Sequence, residues 1–118
     1  MESAYVVWAV RIALAGFFGF HAVLKLSGYS GDVQLFEQIG YGQWFRYVTG
    51  LVEAAAAILM LLPGFTALGG LLILGTMSGA ILTKITVLER GFALELVIAL
   101  VAAWLVWRFR DQILALLP

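Results

Sequence analysis

Five side chains able to carry or exchange a proton lie inside or at the edges of long apolar runs: His21, Lys25, Glu53, Lys84 and Glu95. Two runs end in a lysine, Lys25 or Lys84, and the run after each contains a glutamate, Glu53 or Glu95. A charge within a bilayer-length segment costs roughly 2.5–3.5 kcal/mol on insertion scales, so such residues persist where they are paired or used. A carboxylate held ionised by an ammonium can bind a ligand oxygen through a shared proton, and an imidazole one turn from a lysine can do the same. Each residue also has a structural use. Glu53 suits an anchor bonded to a lysine or to helix hydroxyls, and His21 suits a histidine bonded within a helix bundle. Lys25, Lys84 and Arg90 suit cations snorkelling to headgroups, and Glu95 suits negative charge near a helix N-terminus. Sequence leaves both sets of uses open.

Several chemistries drop out. With no cysteine, the chain carries no disulfide, iron–sulfur or thiol chemistry. One histidine excludes bis-imidazole haem, and a metal would need both glutamates as well, so no metal site is expected. Seven basic residues balance seven acidic ones without a basic run, which argues against nucleic acid as a partner. No residue could carry electrons, so the chain is not expected to be an enzyme on its own.

The elements that position these groups follow from composition. With 64% hydrophobic and 12% charged residues, the chain lies far outside soluble usage. Backbone groups in hydrocarbon must be satisfied within their own segment, and about twenty helical residues cross it. The reading is an all-α membrane protein: one domain over residues 1–118, a bundle of four transmembrane helices spanning about 5–26, 45–62, 66–88 and 92–109. The second span is the marginal one, because Glu53 offsets its modest hydropathy. Glu2 and the absence of an early lysine or arginine argue against a cleavable signal peptide. Four spans place both termini on one side, expected to be the cytoplasmic side of a bacterial inner membrane, with the lipid bilayer as the first partner.

The one substantial loop, residues 27–44, contains a short helix over 32–39. Asp32 is its expected N-cap, and Val33, Leu35, Phe36 and Ile39 line one side. Gly40 and Gly42 stop it, and Tyr41 and Trp44 suit the aromatic belt. This helix is expected to lie at the interface, flat over the mouth of the bundle. The other connections are tight: Pro63-Gly64-Phe65, with Thr66 capping the next helix, and Glu89-Arg90-Gly91.

Helical periodicity groups Arg11, Leu14, Phe18, His21, Ala22 and Lys25 on one face of the first span. Arg46, Thr49, Gly50, Glu53 and Ala57 share a face of the second. Thr76, Gly79, Ala80 and Thr83, with Lys84 beside them, form a face of the third, and Glu95 heads a face through Ala99, Ala102 and Ala103 on the fourth. Small residues with isolated charges mark helices that pack closely and bond to each other. A polar pocket is therefore expected, lined by His21, Lys25, Glu53, Lys84 and Glu95 and roofed by Phe36, Tyr41 and Trp44.

These residues also carry a resemblance. Arg11 followed by Gly16-Phe17-Phe18-x-Phe20-His21-Ala22-x-x-Lys25-Leu26-x-Gly28 resembles the opening of DoxX-like membrane proteins. Phe36-x-x-Ile39-Gly40-Tyr41 and Gly50-Leu51-Val52-Glu53 resemble that family's loop and second helix, Leu61-Leu62-Pro63 its turn, and Ala80-x-x-Thr83 its third helix. The likeness covers roughly residues 8–88; the fourth span matches only in hydrophobicity. Three departures stand out: Ala22 where glycine is common, Ala67 where an arginine often follows the turn, and Lys84 where histidine is frequent.

The resemblance implies a small four-helix, multi-pass membrane protein associated with membrane oxidoreductase or quinone metabolism. In that reading a quinone or similar amphipathic ligand binds His21 and Glu53, Lys25 or Lys84 keeps Glu53 ionised, and an oxidoreductase partner protein supplies the redox centre. Two rivals remain. One is a scaffold or assembly factor whose charge pairs specify helix packing. The other is a small ion- or proton-coupled transporter, which would call for a homo-oligomer.

Overall fold

The computed structural model describes residues 3–118; Glu2 lies outside the described residues. Helix accounts for 84% of it, with no strand among the described residues. Helix α1 (Ala4–Ser27) opens on the Ser3 side chain, which accepts from the Val6 N–H at 3.2 Å, and closes at Gly28, whose φ of 81° only glycine adopts without strain. A short α2 (Ser30–Ile39) follows, then α3 (Gln43–Leu61) and α4 (Thr66–Thr83). Helix α4 runs into a π-helical turn, Lys84–Leu88, which Glu89 ends in the left-handed conformation. Helices α5 (Ala93–Arg108) and α6 (Arg110–Leu114) complete the chain.

Three helical stretches are long and apolar enough to cross a membrane: Ala4–Ser27, Gln43–Leu61 and Thr66–Leu88. The segment around Glu53, the marginal one by hydropathy, is among them. The fourth expected span is the shorter one, because the chain breaks at Phe109 and leaves α5 with 16 residues, about 24 Å of helix.

Helices α1, α3, α4 and α5 pack as successive antiparallel neighbours, and their inner faces meet in one core. Phe18, Met60, Ile73 and Leu105 are fully buried there, one from each helix. Two adjacent glycines let α4 approach on both sides. A Cβ at Gly69 would stand 3.1 Å from the Met60 nitrogen, and one at Gly70 would stand 2.8 Å from Val106 Cγ2 and 3.3 Å from the Ala102 carbonyl oxygen.

Two terminus assignments change. Helix α2 begins two residues before Asp32, so Asp32 lies in the first turn and is not the cap. Thr66 is the first residue of α4 and does not cap it. Gln112 Oε1, arriving from α6, accepts from the Ala67 N–H at 2.9 Å instead, while Thr66 Oγ1 is buried without a hydrogen-bond partner.

Because Gly70 faces backbone, Gly70→Leu should lower stability by about 1–3 kcal/mol through overpacking. Gly16→Leu, where a Cβ meets nothing within 4 Å, should stay within about 0.5 kcal/mol. Thermal unfolding in detergent micelles compares the two.

Candidate functional site

Helices α1 and α3 are held in register by two arginines, each capping the far end of the other helix. Arg11 of α1 donates from Nε to the Met60 carbonyl at 2.8 Å and from Nη2 to the Leu62 carbonyl at 3.4 Å. In return, Arg46 of α3 donates from Nη1 to the Lys25 carbonyl at the end of α1, and from Nε to Gln43 Oε1 at 2.6 Å. The last carbonyls of a helix have no partner within it and carry partial negative charge, so a guanidinium there meets both needs. Arg11 is also stacked on the Trp8 ring at 3.8 Å, and Arg46 on Tyr47 at 4.3 Å.

That register brings Lys25 beside Glu53. Gly50, one turn before Glu53, is the contact point: a Cβ there would lie 3.0 Å from Leu26 and 3.1 Å from Lys25 Cβ. With α1 this close, Lys25 Nζ sits 3.0 Å from Glu53 Oε1, their side chains 11% and 5% exposed. The approach is ionic. No further donor reaches Glu53 Oε1 among the described residues. The other lysine and glutamate meet too: Lys84 Nζ lies 2.5 Å from Glu95 Oε2, in a more open setting with the side chains 26% and 15% exposed.

Between these pairs the helices part. A cavity of about 620 Å³ opens among α1, α3, α4, α5 and the overlying α2. His21, Lys25, Glu53, Lys84 and Glu95 all line it, so the fold gathers these five expected residues on one space. His21 is partly buried, with its ring centroid 4.4 Å from Phe17 and 5.6 Å from Phe20; no hydrogen bond joins it to Glu53 among the described residues. Thr49, Thr76 and Thr83 also face the cavity, but each hydroxyl donates to the carbonyl four residues earlier. The walls are otherwise apolar, from Phe17, Leu35, Phe36, Ile39, Phe45, Val48, Val52 and Leu72 among others.

The roof differs from expectation. Phe36 is buried and lines the cavity, whereas Tyr41 and Trp44 are 60% and 61% exposed and do not. Trp44 donates its indole N–H to the Tyr41 carbonyl at 2.7 Å, and both rings flank Phe45 at 5.7–5.8 Å between centroids. Phe45 takes the inward position because it shares a face of α3 with Thr49 and Glu53, one and two turns on, and Trp44 does not.

Sequence reasoning also missed Asp32, which lies 3.8 Å from Lys25 and lines the cavity. The signal was there: Asp32, Leu35, Phe36 and Ile39 repeat at i, i+3, i+4 and i+7, one face of α2, and all four line the space. Reading Asp32 as a cap removed it from that face. Polar ties hold α2 in place, with Gln43 Nε2 donating to the Val33 carbonyl at 3.0 Å and Arg90 Nη2 donating to Gln38 Oε1 at 3.2 Å.

Removing one partner of a buried pair leaves the other charge uncompensated. Lys25→Met and Glu53→Gln should each cost about 3–5 kcal/mol, and the double variant should recover much of that. The same cycle at Lys84 and Glu95 should give a smaller coupling, since that pair is more exposed. Chemical or thermal unfolding of the four variants of each cycle reads both.

No curated protein and no solved structure matches the chain. The profile of the DoxX-like family matches residues 9–107, which extends past the 8–88 of the motif likeness and takes in most of α5. The match takes in all five of His21, Lys25, Glu53, Lys84 and Glu95. With a match over residues 9–107, the chain belongs to the DoxX-like family.

Proposed function

We propose that this DoxX-like membrane protein crosses the bilayer four times and binds an amphipathic small molecule in the α1–α5 cavity, as a non-redox accessory of a quinone-linked membrane oxidoreductase. The observation that carries the reading is the cavity itself, ligand-sized and mostly apolar, with Lys25 and His21 on its lining beside Glu53, a carboxylate 5% exposed. A flat quinone-like ring suits the apolar walls, and its oxygens are within the chemistry of Lys25 and His21 as donors. Lys84 and Glu95 bound the cavity on the far side. A partner protein supplies the redox centre.

In this reading α5 crosses as a short span, with local thinning of the bilayer and Trp104 and Trp107 as interface anchors. Helix α2 lies at the opposite interface over the cavity, and Tyr41 and Trp44 serve the aromatic belt outside it. Both termini then share one side, assigned to the cytoplasm of a bacterial inner membrane.

The scaffold reading has its own support, because both lysines already meet a glutamate without any ligand. One titration separates the two. With the protein in phosphatidylcholine nanodiscs, decylubiquinone should raise the melting temperature by several degrees, and Glu53→Gln should abolish the rise. No shift in the parent protein, together with full recovery in the Lys25→Met/Glu53→Gln double variant, would favour the scaffold and sink the ligand reading.

A further inference from the structure

The cavity walls carry three carboxylates, Asp32, Glu53 and Glu95, but only two ammonium groups, Lys25 and Lys84. Lys84 is taken by Glu95 at 2.5 Å, which leaves Lys25 to face both Glu53 at 3.0 Å and Asp32 at 3.8 Å. His21 is the remaining titratable group on the lining. The nearby cations are committed elsewhere. Arg46 lies off the lining and spends its donors on the Lys25 carbonyl and Gln43, and Arg90 is exposed and bonded to Gln38.

With all three carboxylates ionised, the lining holds one negative charge more than its lysines cancel. Beside that charge stands Glu53 Oε1, which meets Lys25 Nζ at 3.0 Å and no other donor among the described residues, on a side chain only 5% exposed. Excess negative charge and a buried carboxylate oxygen with a single, shared ammonium contact call for the same thing, a hydrogen-bond donor that brings positive charge with it. Three aromatic walls, Phe17, Phe36 and Phe45, add ring faces that attract a cation and apolar surface for whatever it is attached to. A neutral ring carrying only acceptors fills the volume but satisfies neither need.

We propose that the cavity is a binding site for an amphipathic organic cation, a protonated amine that donates to Glu53 Oε1 and lays its apolar body against Phe17, Phe36 and Phe45. The cation completes the charge balance that Lys25 provides only in part. This goes beyond the quinone reading and stands without it.

The test titrates octylammonium chloride and octanol, equal in chain length, into the full chain in phosphatidylcholine nanodiscs, with affinities from calorimetry. Octylammonium should bind at least about tenfold more tightly, as expected of a charge-assisted hydrogen bond. Asp32→Asn, which removes the surplus charge from a short helix outside the core, should reduce that preference to about threefold or less; Glu53→Gln should do the same, but is the variant more prone to misfold. Equal binding of the two probes, or a preference unchanged in Asp32→Asn, would overturn the proposal. Decylubiquinone in the same preparation keeps the two readings apart. Quinone binding without an amine preference overturns only this inference, and an amine preference without quinone binding overturns only the earlier reading.

Discussion

The exchange of arginines between α1 and α3 is the constraint from which the site follows. Each guanidinium satisfies carbonyls that the partner helix cannot satisfy for itself, Arg11 at the end of α3 and Arg46 at the end of α1. In a low-dielectric setting an unmet carbonyl is costly, so the two contacts act as end stops on sliding. Sliding α1 by one turn, about 5.4 Å, would lose both contacts and part Lys25 from Glu53. The Gly50 contact then sets how close the helices come once the stops have set where.

The bundle is closed at one end and open at the other. Around Arg11 the chain is dense: Met60 and Thr66 are fully buried, Gly69 and Gly70 admit close backbone approach, and Gln112 of α6 caps α4. Towards Lys25 charged side chains stand among small residues, Gly75, Gly79 and Ala80, whose short side chains leave the space under α2 open. Polar groups that would weaken a packed core are thus collected where the packing already yields. A recess towards the dense end, lined by Ile12, Ala15, Gly16, Ala57, Ile58 and Leu61, is shallow and apolar.

Much of this was legible in the sequence, for identifiable reasons. Helical periodicity placed Arg11, Leu14, Phe18, Ala22 and Lys25 on one face, and all five are buried. The costs of charge in apolar runs singled out Lys25 with Glu53 and Lys84 with Glu95, and both pairs form. What escaped depended on where short elements begin and which way they face. A two-residue error at the start of α2 turned Asp32 from a wall of the cavity into a cap, and Phe45, on the face of Thr49 and Glu53, is the inward ring in place of Trp44. The Gln112 contact joins α6 to α4 across 45 residues, and no local pattern encodes it. The break at Phe109, which shortens α5, likewise follows no proline or glycine.

Lys25 belongs to both systems at once, through different atoms. Its carbonyl oxygen receives Arg46, while its ammonium reaches Glu53 and Asp32. Every amino acid brings the same carbonyl, so the stop on α1 is indifferent to which side chain occupies position 25. Architecture and chemistry are therefore separable at this residue. A lineage could trade the ammonium for another head group, altering what the cavity prefers, and inherit the helix alignment unchanged. That freedom matters here because position 25 lines the chamber under α2.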